Sequence, residues 1–578
     1  MSPSPTSLDS SSDPNLATKE VDILPQLDPA PPRKGIRFWL VFLAICTSLF
    51  LTALEYTAVS TALPTIVHDL NADDFVWVGS AYALAATAFL PATGGLAEVF
   101  GRRTSMLVAQ ALFALGSALC GSAQNMNWLI AARTIQGAGG GGLMAVTSIV
   151  ISDLVPLAER GMYNGMVGMT WGIAAAIGPV VGGALAAEGQ WRWLFYLNLP
   201  ITGVAAALVI AFLKLKTPPG SFQEKMARMD WIGNVIVIGS TSACVIGLTW
   251  AGVKFPWGSA QVLAPLIIGL VGLVAFFAYE ATLAKHPLVP FALISNRTTL
   301  SGYVSGPTRA GCRLTESISY IQTFIGSTVM ISAIYFLPVY YQACMDASPV
   351  RSGVELFGLA MPLLPVLVLT GGSINRTKSY RAQLWLAFAL SVAGFGAMST
   401  LTADSPAAHA VGFPVLVGIG AGIYCAATYF PVLAPLPVSE NAHALALFAF
   451  CRAFACVWGV TIGTAVLQTQ LARRLPADFA AAVPGGVPLA FALIPRVRTL
   501  APPPLRAEVR AAFAASCATI WEVMAALAAA GLLAALAMRA LPLHTELDRK
   551  WALEDDAPRG AKDAREPDVE LQVAALPR

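Results

Sequence analysis

Long apolar runs, separated by short polar breaks, repeat along nearly the whole chain. They fall near 38–62, 74–97, 104–122, 127–151, 161–186, 192–214 and 230–251, then near 261–282, 318–344, 352–371, 382–403, 408–430, 441–467 and 518–541. Most are about as long as the roughly 20 residues a helix needs to cross a bilayer. Runs this long and continuous are helices, because in lipid only helices and closed barrels satisfy their own backbones. The pattern therefore predicts an all-α polytopic membrane protein with fourteen spans. Residues 1–35 and the stretch from about 543 lack such runs and are rich in Ser, Pro and charge, so they are expected as disordered tails outside the bilayer. No short apolar core follows a basic start, so no signal peptide is expected.

Composition agrees. Of 578 residues, 56% are hydrophobic and only 12% are Asp, Glu, Lys or Arg. Soluble domains carry about 25% charge, so this chain cannot clothe itself in water. A net charge of +3 is too small to imply nucleic acid. The nine cysteines form no C-x-x-C pair, and no His/Cys cluster has metal spacing. The glycine-rich run 137–142 lacks the Lys-Ser/Thr of a phosphate loop, so nothing points to an ATP-driven pump.

Placement of the basic residues orients the chain. With the N-terminus in the cytosol, the inside segments hold Arg33, Lys34, Arg102, Arg103, Arg160, Lys214, Lys216, Lys225, Arg228, Lys285, Arg297, Arg376, Lys378 and Arg381. Short outside loops hold only Arg192, Lys254 and Arg351. The loop 468–517, with several arginines, breaks the pattern. Both termini are expected in the cytosol.

Charges inside spans are costly and mark function. Glu55 lies in the first span, where a carboxylate held away from water can exchange a proton in the physiological range. Arg133 and Gln136 lie in the fourth, and Glu55 is one candidate counter-charge for the arginine. Arg452 poses the same question in the thirteenth. Glu280 and Glu522 are read as lying near helix ends, within reach of water. Gly161/Gly165, Gly168/Gly172 and Gly178/Gly182 have the G-x-x-x-G spacing that lets helices approach closely, and Pro179 predicts a kink. Between spans two and three, Gly94 to Arg103 form a tight turn in which Glu98 and Arg102 can pair.

These residues resemble motifs of the major facilitator superfamily, in its fungal fourteen-span branch of drug:proton antiporters. Gly94, Leu96, Glu98, Gly101, Arg102 and Arg103 resemble the G-x-L-x-D-x-x-G-R-R/K loop. Arg133, Gln136 and Gly137 resemble R-x-x-Q-G. Gly172, Gly178, Pro179, Gly182 and Gly183 resemble the antiporter motif of the fifth helix. Leu54 to Pro64 resemble the branch's first-helix motif, and Trp191 to Pro200 are similar to W-R-W-x-F-x-x-N-x-P. Glu55 and Glu98 stand where the motifs usually have Asp, which keeps the charge and adds one methylene of reach.

The resemblance implies two six-helix bundles, 36–215 and 298–542, with two extra helices in 216–297 between them. It implies alternating access, with Glu55 protonated in the cycle, Arg133 and Gln136 as its partners, a gate at Gly94 to Arg103, and an exporter's interface at Gly172 to Gly183. The expected function is export of drugs, toxins or secondary metabolites. It would be driven by the proton gradient without a cofactor, by a monomer in the plasma membrane or the vacuolar membrane. An uptake carrier for a nutrient or siderophore and a transport-dead sensor are the alternatives; no enzyme constellation appears. One stretch departs from the pattern: 304–320 is polar and carries Arg309, Arg313 and Glu316 where the resemblance predicts membrane. It is read as a retained intron, with a genuine loop insertion as the alternative.

Overall fold

The structure is a computed structural model describing residues 35–70, 76–156, 159–215, 221–251, 254–284, 288, 308–347, 349–434, 436, 441–476, 503–538 and 541. Both expected tails lie outside these residues, as do 304–307 of the anomalous stretch and the side chain of Pro179. The described chain is almost entirely helical. In order, the helices are α1 (Ile36–Leu70), α2 (Val76–Phe100), α3 (Arg102–Gly121), α4 (Met126–Leu154), α5 (Arg160–Ala187), α6 (Arg192–Tyr196), α7 (Asn198–Phe212), α8 (Phe222–Ala227) and α9 (Trp231–Trp250). Then come α10 (Ala260–Thr282), α11 (Thr308–Cys344), α12 (Pro349–Glu355), α13 (Phe357–Thr377), α14 (Arg381–Met398), α15 (Ala407–Ala427), α16 (Tyr429–Leu433), α17 (Asn441–Arg474) and α18 (Pro503–Ala537).

All fourteen apolar runs lie on helices. Among the described residues, thirteen helical segments are long and apolar enough to cross a membrane; the remaining run, 161–186, lies on the 28-residue α5. Helix ends follow local chemistry. Gly101 turns α2 into α3 at φ 88°, a left-handed geometry that glycine adopts without penalty. The Asn125 side chain accepts from the Trp128 N–H at 2.8 Å and starts α4. Ser221 and Glu224 form a reciprocal capping box on α8.

Each half has its own core. Phe38, Phe42, Tyr82, Phe113 and Leu143 are buried together in one; Phe336, Tyr340, Phe395, Phe513 and Trp521 in the other. The run 137–142 explains how α4 is seated. A Cβ on Gly137 or Gly141 would collide with the backbone of Tyr82 or Ala86 in α2, and one on Gly139 with the backbone of Phe113 in α3. The glycines let α4 lie between two helices almost backbone to backbone. The extra pair, α9 and α10, packs together and sets α9 against α2.

The halves meet mainly at one end of the bundle, the end carrying Gly101. There the Cβ position of Gly94 lies 2.7 Å from Ala446 in α17. Gly165, Gly168 and Gly172 of α5 abut Val368, Leu367 and Leu364 of α13. Toward the opposite end, which carries Trp191, the Cβ position of Gly178 meets Thr57 and Ala58 of α1, and that of Gly183 meets nothing within 4 Å. The small-faced helix thus contacts the other half along one stretch and its own half along the next.

Several expectations change. The last span begins at Pro503 rather than near 518. Its first turns are polar because Arg506 pairs with Asp346 at 2.8 Å and Arg510 donates to the Cys344 and Ala403 carbonyls. The Arg510 contact satisfies the carbonyl that ends α11, and the two arginines are among those that broke the charge pattern. The longer helix places Glu522 in mid-helix and exposed, not near an end. Glu280 does lie near the end of α10, but it is 3% exposed and packs against Gly233 instead of reaching water. Finally, 308–320 is not a loop: it continues α11 as one 37-residue helix.

Candidate functional site

Glu55 and Arg133 meet inside the first half. Antiparallel packing brings α1 and α4 together, and both side chains are only 2% exposed. Arg133 Nη1 donates to Glu55 Oε1 and to Gln136 Oε1 at 2.7 Å. Its Nε donates to the Val78 carbonyl at 3.0 Å. The guanidinium also lies over the Tyr82 ring, 4.6 Å from its centroid, a favourable place for a cation. Burying two charges is repaid only when the pair is close and its remaining donors are used, and most of them are used here.

The network extends beyond the three residues that the sequence singles out. Asn198 Nδ2 donates to the second carboxylate oxygen of Glu55 at 2.5 Å. Gln136 Nε2 donates to Ser117 Oγ at 2.8 Å, and Cys120 Sγ approaches Gln136 Oε1 at 3.6 Å. Four helices, α1, α3, α4 and α7, are therefore tied through one carboxylate and one guanidinium. A proton arriving on Glu55 would cancel the ion pair and turn an acceptor into a donor, so it would change the tie between α1, α4 and α7. Asn198 stands in the W-R-W-x-F-x-x-N-x-P stretch, but its role was not legible there; Ser117 and Tyr82 carry no sequence signal.

A second ionic cluster sits at the Gly101 end. Arg102, 2% exposed, donates to Glu98 at 3.2 Å, to the Ala97 carbonyl at 2.9 Å and to Asp153 at 2.8 Å. The expected Glu98–Arg102 pair forms. Asp153, at the end of α4, was missed; its signal is an acidic residue closing an otherwise apolar run. Gly94 lies one turn before this cluster, against α17. The antiporter-motif residues do not join either cluster: Gly172 contacts α13 and Gly178 contacts α1. Arg452 stands apart in the other half, half-buried, with Nη2 3.6 Å from Cys425 Sγ. Among the described residues, no group of three or more His, Cys, Asp or Glu is placed to hold a metal.

The comparisons with known proteins agree with this architecture. The sequence profile described as Major Facilitator Superfamily matches residues 45–460. The chain is 39% identical over 539 residues to the MFS-type efflux pump LUC4 of a Fusarium species, covering 92% of this chain and 93% of that one. It is 39% identical over 538 residues to the efflux pump FUS6 of Gibberella fujikuroi, covering 92% and 94%. It is 35% identical over 544 residues to the acurin A biosynthesis cluster MFS-type transporter of Aspergillus aculeatus, covering 92% and 94%. Among solved structures, the human organic anion transporter MFSD10 superposes with a TM-score of 0.54 at 13% identity, over 86% of this chain and all of that one, a likeness of fold. With two helical halves, the motif residues on the expected helices and a profile match over most of its length, the chain belongs to the major facilitator superfamily.

Proposed function

We propose that the protein is a proton-driven exporter of small amphipathic organic molecules, secondary metabolites among them, working by alternating access in the plasma membrane. The observation that carries this reading is the buried Glu55–Arg133 pair with Gln136 and Asn198 around it. A carboxylate shared by several helices gives a proton something to switch. The names of the relatives, efflux pumps and a biosynthesis-cluster transporter, support the outward direction and the cargo class. In this reading the tails and the Gly101 end face the cytosol. The close approach of the halves there, and the open surroundings of Gly183, then describe a carrier closed toward the cytosol. No cofactor takes part; the proton gradient supplies the work.

Purified protein in vesicles with an imposed pH gradient tests the proposal. Gradient-driven accumulation of an amphipathic compound on the acidic side is the expected result. Accumulation on the alkaline side with proton influx would mean uptake, and binding without flux would mean a sensor.

A further inference from the structure

Arg452 differs from every other deeply placed arginine described above. Arg133 has Glu55, and Arg102 has Asp153 and Glu98. Arg160 leaves Nη1 without a partner but donates Nε and Nη2 to the carbonyls of Val155 and Ser152. Arg452 is the twelfth residue of the 34-residue α17, roughly 16 Å along the helix from its start at 1.5 Å per residue. Its side chain is too far from either helix end to reach the interface easily. No carboxylate among the described residues lies within ion-pair distance of it, and its one side-chain hydrogen bond goes to the weak acceptor Cys425 Sγ. A guanidinium has five N–H donors and no way to become neutral, so an anion or several acceptors are called for.

Its surroundings add unmet polar groups. The hydroxyl of Tyr424, a residue 2% exposed and within electrostatic range of Arg452, has no hydrogen-bond partner. Gln322 on α11 is fully buried, and neither its amide oxygen nor its amide nitrogen has a partner. It lies on the same face and one turn from Gly326, whose Cβ position touches the Tyr424 ring at 2.9 Å. Buried amides and hydroxyls without partners are costly; the Tyr424 hydroxyl near this cation, and the Gln322 amide on the α11 face that packs on the Tyr424 ring, are best explained by a ligand group absent from the bare protein. Met330 Sδ, 3.9 Å from Cys425 Sγ, gives the same place an adaptable apolar wall.

Resting on the export reading, we infer that Arg452, with Tyr424 and Gln322, forms the half of the cargo site that recognises an acidic group. The cargo is accordingly an amphipathic organic anion, a carboxylate or an acidic enol, rather than an organic cation. Arg452 supplies the counter-charge, and the hydroxyl and amide supply further hydrogen bonds.

Three pyrene probes test this: 1-pyrenebutyrate, its isosteric amide 1-pyrenebutyramide, and the cation 1-pyrenebutylammonium. Binding to the full-length purified protein in nanodiscs is read by energy transfer from tryptophan. The acid should bind about tenfold or more tighter than the amide, the scale of one charge-assisted contact. Arg452→Gln should bring that ratio to near one while leaving amide binding in place, and Arg452→Lys should keep part of it. Gln322→Leu, which removes an unmatched polar group, should weaken acid binding several-fold without lowering the melting temperature. Equal binding of acid and amide, absence of acid binding, preference for the ammonium, or equal loss of all probes in Arg452→Gln overturns the inference. Binding needs no gradient, so it is read apart from transport. Selective acid binding without gradient-driven flux would sink the export reading and leave the anion site standing.

Discussion

Glu55 and Arg133 neutralise one another, so losing one is worse than losing both. Arg133→Met alone leaves a carboxylate buried without its counter-charge and should destabilise the protein by about 3–5 kcal/mol. Adding Glu55→Gln should return much of that, seen as partial recovery of the melting temperature of purified protein; simple additivity would mean that the pair is not energetically coupled. Glu55→Gln by itself should abolish proton-driven flux while leaving substrate counterflow largely intact. A normal pH dependence in that variant would remove Glu55 from the coupling role. Both residues were legible because a charge in an apolar run stands out against its neighbours. Asn198 and Ser117 were not, since a buried amide or hydroxyl is common and only the fold shows that it faces the carboxylate. Asp153 was overlooked for another reason: at the end of a run it reads as a solvated helix terminus, and its burial depends on Arg102 arriving from α3.

Helices were easier to read than their ends. Apolar runs fix a helix's existence, but α18 starts where its polar first turns find partners on other helices, at Asp346, Cys344 and Ala403. No window of hydropathy contains that information. The same limit applies to α5, whose glycine spacing announced close packing without naming the neighbour. Because Gly165 lies 2.9 Å, at its Cβ position, from Val368 Cγ2 and 3.4 Å from the Val368 Cα, a branched side chain there should wedge α5 from α13. Gly165→Val is expected to cut transport at least several-fold while probe binding persists; unchanged transport would mean that the contact is not needed in the cycle. Residues 304–320 give an element-scale prediction as well. Their removal sets Tyr303 directly before Ile321, the place where Tyr320 donates to the Ala444 carbonyl at 3.3 Å. The shortened protein should therefore melt and transport at least as well as the full chain, and the dominant transcript should lack the segment. A dominant transcript that contains it, or a shortened protein that fails to fold, would make the insertion genuine.

At the scale of the molecule, the halves touch where Gly94 meets Ala446, and a working carrier must part them there. Cysteines placed at both positions should cross-link under mild oxidant, with loss of flux that a reductant restores. Flux unaffected by a demonstrated cross-link would show that this end does not open. The 12% of residues that are charged were enough to read the chain as a polytopic membrane protein, and the motifs were enough to point to its family. How the halves lean on each other was hidden, because the contacts that decide it are glycine against aliphatic side chain and carry no pattern of their own.

The seating of α4 has a mechanical consequence. The helix bears Arg133 near one end and Asp153 near the other, roughly 30 Å apart at 1.5 Å per residue. Glycine weakens a helix by itself, yet here the glycines of 137–142 press the middle of it against α2 and α3. Close packing of that kind resists bending. A shift begun at the Glu55 pair would therefore arrive at the Arg102 cluster as displacement of a stiff lever, not as a relay of side chains passing a signal from one to the next.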